Sequence, residues 1–341
     1  MRILALVTNA AVGVGGLERY NVDFLKALSS CGPKVEVVTK SRHEKFNKWH
    51  YLFSVLKTFV TNSPFDLIFC GHLHLSPLAA VLGRLSGIPV WLQLHGIEAW
   101  KKTNSVWDWA ARQATLVTAV SRYTRRRFLA WSRIAPERVK VLPNTVDEKF
   151  QPGPKPDYLL GRYDLAGKKV LLTVSRLSSK EKYKGHDKVL RIIPRLLQKH
   201  SNLVYIIAGE GDDRERLEAI AKEEGLNGSV RFIGNVDESE LVDHYRIADL
   251  FVMPSSGEGF GIVFLEAAAC GIPVISGDGD GSVDTLAEGK FGCSVNVDNL
   301  EELYTAIEGL LDHKKEDLGQ PLMFSQNNFC DFVKMLSEFI T

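Results

Sequence analysis

Short runs of β-branched and other apolar residues alternate along the chain with longer stretches whose apolar positions recur at helical spacing. RILALVT (2–8), VEVVT (35–39), DLIFC (66–70), PVWLQLH (89–95), LVTAVS (116–121) and RVKVLPN (138–144) predict six strands, with helices in segments such as 17–31 and 76–87. This rhythm predicts a parallel sheet covered by helices on both faces. It then restarts: KVLLTVS (169–175), LVYIIAG (203–209), VRFIG (230–234), LFVMPS (250–255), PVISG (273–277) and CSVNV (293–297) predict six more strands. Between the two series, three prolines and a glycine fall within residues 152–156, a linker composition. The expectation is an α/β chain of two doubly wound domains, 1–155 and 156–323. Ligands of such sheets bind beyond the carboxyl ends of the strands.

The length of 341 residues suits two domains. With 45% hydrophobic and 24% charged residues the chain is globular rather than disordered. A formal net charge of +1 gives no general attraction to nucleic acid, and no nucleic-acid partner is expected. The five cysteines (Cys31, Cys70, Cys270, Cys293, Cys330) form no C-x-x-C pair, so they read as free thiols filling a core in a reducing cytosol. MRILALVTNA reads as a first strand rather than a signal peptide, and no apolar run reaches the ~18 residues that cross a bilayer. A cytoplasmic location is expected, with any membrane attachment peripheral.

Several strand ends carry candidate chemistry. In NAAVGVGGLERY (9–20), Gly13, Gly15 and Gly16 precede a helix beginning near Leu17, either as an anion site at a helix N-terminus or as a close-packing turn. Residue 18 is Glu, so G-x-G-x-x-G is not met, and the second strand ends in Thr39-Lys40 rather than an acid, which disfavours a nicotinamide site. Arg176 and Lys184 follow the seventh strand as a clamp for a diphosphate or as solvated loop charges. Gly209 and Gly211 form another turn without a Walker lysine, and FIGNVDESEL (232–241), with Val236, offers backbone to a base or is an ordinary connection. In SSGEGFGIVFLEAAACGIPV (255–274), Gly257, Gly259 and Gly261 let backbone approach a ligand, and the amides of Phe260, Gly261 and Ile262 open a helix. Glu258 on the turn and Glu266 on the helix read as two carboxylates for sugar and ribose hydroxyls.

Glu258 and Glu266 resemble the E-x7-E signature of the retaining nucleotide-sugar glycosyltransferases of GT-B fold, glycosyltransferase family four. GVGGLERY, LHGIE (94–98), VLPNTVDEKF (141–150) and VSRLSSKEKYKGHDKV resemble further segments of that family, in collinear order over residues 3–310. The resemblance implies that Arg176 and Lys184 hold the donor diphosphate, that Glu266 binds the ribose, and that Glu258 with Phe260, Gly261 and Ile262 holds the donor sugar. Gly15 and Gly16 would line the phosphate, Gly209 and Val236 would lie along the donor, and His95 would sit near the scissile bond or be a packed strand-end histidine. Glu98 is the acceptor-side candidate. The stretch 324–341 would form a last helix packing back on the first domain. The implied reaction moves a sugar from a UDP- or GDP-sugar to a glycan or lipid-linked acceptor, with no cofactor and no metal. Asp278-Gly279-Asp280 mimics a metal-binding Asp-x-Asp, but the equivalent family loop merely approaches the donor.

Two segments, 40–59 and 121–133, interleave basic and aromatic residues. They suit an anionic membrane surface, or amphipathic helices packed on the sheet with their charges solvated. Two alternatives to transfer remain: an epimerase or phosphorylase on the same fold, and a silent sugar-nucleotide-binding subunit.

Overall fold

The computed structural model describes residues 1–8, 15–40, 47–311, 324–325 and 327–336. Gly13, residues 41–46 of the first basic segment and the end of the expected last helix, 337–341, lie outside the described residues. The chain divides into two compact units, 1–145 with 324–341, and 146–323.

The first unit runs β1 (Arg2–Thr8), α1 (Gly16–Ser30), β2 (Lys34–Lys40), α2 (Asn47–Thr61), β3 (Leu67–Cys70), α3 (Ser76–Ser86), β4 (Val90–Leu94), α4 (Ser105–Gln113), β5 (Leu116–Ala119), α5 (Arg122–Ser132) and β6 (Val139–Val141). The second holds α6 (Asp157–Arg162), β7 (Lys169–Val174), α7 (His186–Lys199), β8 (Leu203–Ala208), α8 (Arg214–Glu223), β9 (Val230–Gly234), α9 (Leu241–Arg246), β10 (Leu250–Met253), α10 (Ile262–Ala269), β11 (Val274–Gly277), β12 (Gly292–Val295) and α11 (Leu300–Leu311). The last helix, α12 (Asn327–Lys334), belongs to the first unit.

Both sheets are six-stranded and parallel, ordered β2-β1-β3-β4-β5-β6 and β12-β11-β10-β7-β8-β9. Strands β3, β4, β5, β8, β10 and β11 are buried along their whole length, which is why they read as continuous apolar runs. Strand order reverses between β1 and β3 in the first sheet and between β7 and β10 in the second, and a crevice opens at such reversals.

The boundary falls between Thr145 and Val146, ahead of the expected 155/156. Contacts of the proline-rich stretch explain the shift. Arg246 Nε donates to the Gln151 carbonyl (3.2 Å), Lys155 Nζ pairs with Asp249 (2.7 Å), and Pro152 lies against Gly271. The linker composition therefore marks a strap on the second unit.

The expectation of five free thiols is corrected. Cys31, at the end of α1, and Cys330, on α12, form a disulfide across 299 residues, while Cys70, Cys270 and Cys293 are free. The bond staples α12 where Phe329 meets Tyr20 and Phe24, and where Phe332 meets Trp91. Among the described residues no helix is long and apolar enough to cross a membrane.

Candidate functional site

The crevice of the second sheet is built from the exits of β7 and β10. Arg176 leaves β7, and a 3-10 stretch, Ser179–Lys184, brings Lys184 back beside it before α7 begins. The β10 exit is sewn to that stretch. The amide of Ser256 donates to the Tyr183 carbonyl (2.9 Å), and a Cβ on Gly257 would stand 2.6 Å from the Tyr183 ring. Gly185 (φ 76°) is fixed as glycine because a Cβ would come within 2.4 Å of the Pro254 carbonyl. The loops carrying Arg176, Lys184 and Glu258 thus form one packed cluster.

The electrostatics reflect this convergence. Burial raises the Glu258 carboxyl above its ordinary range; Lys184 and Arg176 pull it down, while Asp280 and Glu181 push it up. Burial, then Glu258 and Glu181, raises the Tyr183 phenol. Burial lowers His186 to about 4, helped by Lys184, and its Nε2 lies 2.8 Å from Ser175 Oγ.

Two members of the cluster were not singled out as site residues in the sequence. Glu181 takes both cations: Arg176 Nη2 donates to its Oε1, and Lys184 Nζ lies 2.9 Å from its Oε2. Asp280 is buried and accepts four hydrogen bonds. Oδ2 takes Ser255 Oγ (2.6 Å) and the Glu258 amide (2.7 Å); Oδ1 takes the Ser282 amide (2.9 Å) and hydroxyl (2.5 Å). The Asp-x-Asp mimic is therefore split, Asp278 being exposed and Asp280 engaged in holding the Glu258 turn. Among the described residues no three His, Cys, Asp or Glu gather as metal ligands.

The remaining donor-side candidates spread along the same sheet. Gly261 (φ 80°) precedes α10 and, as glycine, gives the helix start no side-chain cap; Phe260 is buried. Glu266 is only 2% exposed, and its Oε2 accepts from Tyr245 (2.6 Å). It lies on the buried face of α10, against Tyr245. Gly209 (φ 134°) has a packing reason to be glycine, since a Cβ would sit 1.8 Å from the Ser175 carbonyl. Val236 is half-buried on the β9–α9 connection.

In the first unit, Gly15 and Gly16 stand where α1 starts after β1, again without a side-chain cap. His95 follows β4. Its Nε2 lies 2.9 Å from the Gly71 carbonyl, its amide donates to Glu98 (2.6 Å), Tyr20 meets the ring edge-on and His72 lies roughly parallel to it. Burial lowers its pKa to about 4, so the ring is neutral, with Nε2–H donated to Gly71. Glu98 thus clasps the His95 turn.

The two basic-aromatic segments separate. On α5, Phe128 is buried and Trp131 packs on the core with its indole donating to Ala99 (2.8 Å), so those aromatics are not a free surface. On α2, Tyr51 and Val55 face the core, whereas Trp49 (76% exposed), Phe53 (66%), Leu56 (43%) and Val60 (76%) form an outer stripe beside exposed Lys48, His50 and Lys57.

The fold is a two-unit α/β chain whose second unit gathers two cations and several carboxylates at its strand reversal. Residues 14–150 match the family described as "Glycosyltransferase Family 4", and residues 164–325 match "Glycosyl transferases group 1". The chain belongs to glycosyltransferase family four and has the GT-B fold. It is 36% identical over 208 residues to the GDP-mannose-dependent alpha-(1-6)-phosphatidylinositol monomannoside mannosyltransferase of Mycolicibacterium smegmatis, covering 58% of this chain and 53% of that one. It is 27% identical to the phosphatidylinositol N-acetylglucosaminyltransferase gpi3 subunit of Schizosaccharomyces pombe, covering 82% and 61%. The chain spans about half the length of the first of these relatives. HepE from Anabaena, solved with UDP, superposes with a TM-score of 0.80 at 21% identity, covering 99% of this chain and all of HepE.

Proposed function

We propose that the chain transfers a sugar from a UDP- or GDP-sugar to a glycan or lipid-linked acceptor, with retention of configuration and without an essential divalent ion. The observation that supports this most is the convergence of Arg176, Lys184 and Glu258 at the β7/β10 reversal, beside the uncapped start of α10. In this reading the two cations neutralise charge building on the departing nucleoside diphosphate, a task a metal performs in other enzymes. Glu258 and the α10 amides hold the donor sugar, and Glu266 takes the ribose hydroxyls beside or in place of the Tyr245 hydroxyl. The neutral His95 ring offers a dipole rather than a charge near the acceptor-side chemistry.

We take GDP-mannose as the first donor to test, after the name of the mannosyltransferase relative, and a phosphatidylinositol-type lipid as the first acceptor, after the names of both. The test is a thermal-shift panel of UDP- and GDP-sugars on the wild type and Glu266→Ala, followed by turnover with and without EDTA. One donor is expected to raise the wild-type midpoint and leave the variant unmoved, and EDTA to leave the rate unchanged. A panel in which no sugar nucleotide shifts the wild type would sink the reading.

A lipid acceptor calls for contact with a bilayer, and the outer face of α2 supports it. Four large apolar side chains at i, i+4, i+7 and i+11, flanked by lysines, form an interfacial stripe on this face. The chain is expected to sediment with anionic vesicles at low salt, and Trp49→Ser/Phe53→Ser to stay in the supernatant. A wild type that also stays in the supernatant removes this part of the reading.

A further inference from the structure

Resting on the donor reading above, we infer that Glu181 is a built-in stand-in for the donor diphosphate, occupying the Arg176–Lys184 clamp until a diphosphate displaces it. One carboxylate spans both cations with its two oxygens, as adjacent phosphoryl groups would. The two halves of the grip differ. Arg176 donates a hydrogen bond to Oε1, whereas Oε2, although 2.9 Å from Lys184 Nζ, has no aligned hydrogen bond and is buried. A buried oxygen held by charge alone is poorly satisfied, so its release loses less than that of a fully bonded carboxylate. Arg176 is more than half exposed, which opens a solvent side toward which the carboxylate can turn. The backbone need not move: the Glu181 amide stays bonded to the Ser178 carbonyl (2.8 Å).

The geometry favours such a displacement. Arg176 and Lys184 are both already engaged by the Glu181 carboxylate. A diphosphate entering beside an unmoved Glu181 would bring its negative charge against that carboxylate. Turning Glu181 outward frees both cations at once. The arrangement also selects: an anion must replace both contacts to compete, which favours a diphosphate over a single phosphate.

The experiment is calorimetric titration of the full chain with pyrophosphate, UDP, GDP and orthophosphate, using the wild type, Glu181→Gln and Glu181→Ala, each checked for an unchanged far-ultraviolet circular dichroism spectrum. The diphosphates are expected to bind about tenfold more tightly to the variants, the size of one partly buried ionic contact. Orthophosphate is expected to gain affinity as well, narrowing the discrimination. If the wild type binds diphosphates and the variants bind them equally or more weakly, Glu181 is a strut that orients the cations and the inference falls alone. If neither the wild type nor the variants bind any diphosphate, the donor reading falls with it. Binding that appears only in the variants supports the inference in its strongest form.

Discussion

Replacing Arg176 or Lys184 by alanine is expected to lower sugar-transfer kcat/KM by about 10²–10³-fold, the scale of losing one preorganised donor to a developing anion. The two residues reach this result by different routes. Arg176 is largely exposed and its pair with Glu181 lies at the surface, so its removal should leave stability within about 1 kcal/mol. Its loss therefore reads out on transfer alone. Arg176→Lys should recover only part of the rate, because an ammonium cannot offer two parallel N–H groups to a phosphate. Lys184 is nearly buried between Glu181 and the Glu258 turn, and its neighbours depend on its charge. Lys184→Ala leaves Glu258 with less cationic support, so its carboxyl moves further up and the variant loses rate more steeply as the pH falls. Steady-state nucleotide release with the best donor of the panel measures both. Either variant retaining more than a third of the wild-type kcat/KM would show that the clamp does not carry the leaving-group charge.

The sequence was most informative where chemistry and burial coincide. Each of the twelve runs marks a strand of the structure, most plainly the six that are covered on both faces and so leave no polar side. Their ends were less legible. RVKVLPN (138–144) keeps strand-like residues beyond Val141, yet pairing stops there because β5 ends at Ala119. Glu258 was legible from its glycines. Glu181 was not, being one charge among many in SKEKYK, although its spacing of five from Arg176 and three from Lys184 was a usable signal. The disulfide carried no local cue, since its partners are 299 positions apart. On α2 both faces are apolar, so spacing alone could not tell the core side, Tyr51 and Val55, from the outer stripe.

Asp280 gives the second large effect, through the fold of the site rather than through contact with substrate. Each of its oxygens accepts one backbone amide and one hydroxyl. Asp280→Ala strands the amides of Glu258 and Ser282 in a buried place, and each unpaired donor costs about 1–3 kcal/mol. The expected loss in the second unit is therefore about 3–5 kcal/mol, read from the denaturant midpoint. Asp280→Asn is the sharper variant because it keeps the shape. Either orientation of the new amide points an NH2 group at a backbone N–H, at Glu258 in one case and at Ser282 in the other. The donor–donor clash must be relieved by moving the turn. If the amide faces Glu258, transfer should fall with stability. If it faces Ser282, the strain passes to the Gly281–Leu286 turn and reaches Glu258 through Gly281, whose amide donates to the Glu258 carbonyl (2.8 Å). Both routes end at the same carboxylate, so a folded Asp280→Asn chain is expected to lose turnover by at least about tenfold, or roughly 1.4 kcal/mol in the barrier. An Asp280→Asn chain with wild-type stability and wild-type turnover would mean that the Glu258 turn holds its shape without the buried carboxylate, and that the four hydrogen bonds are incidental to the site.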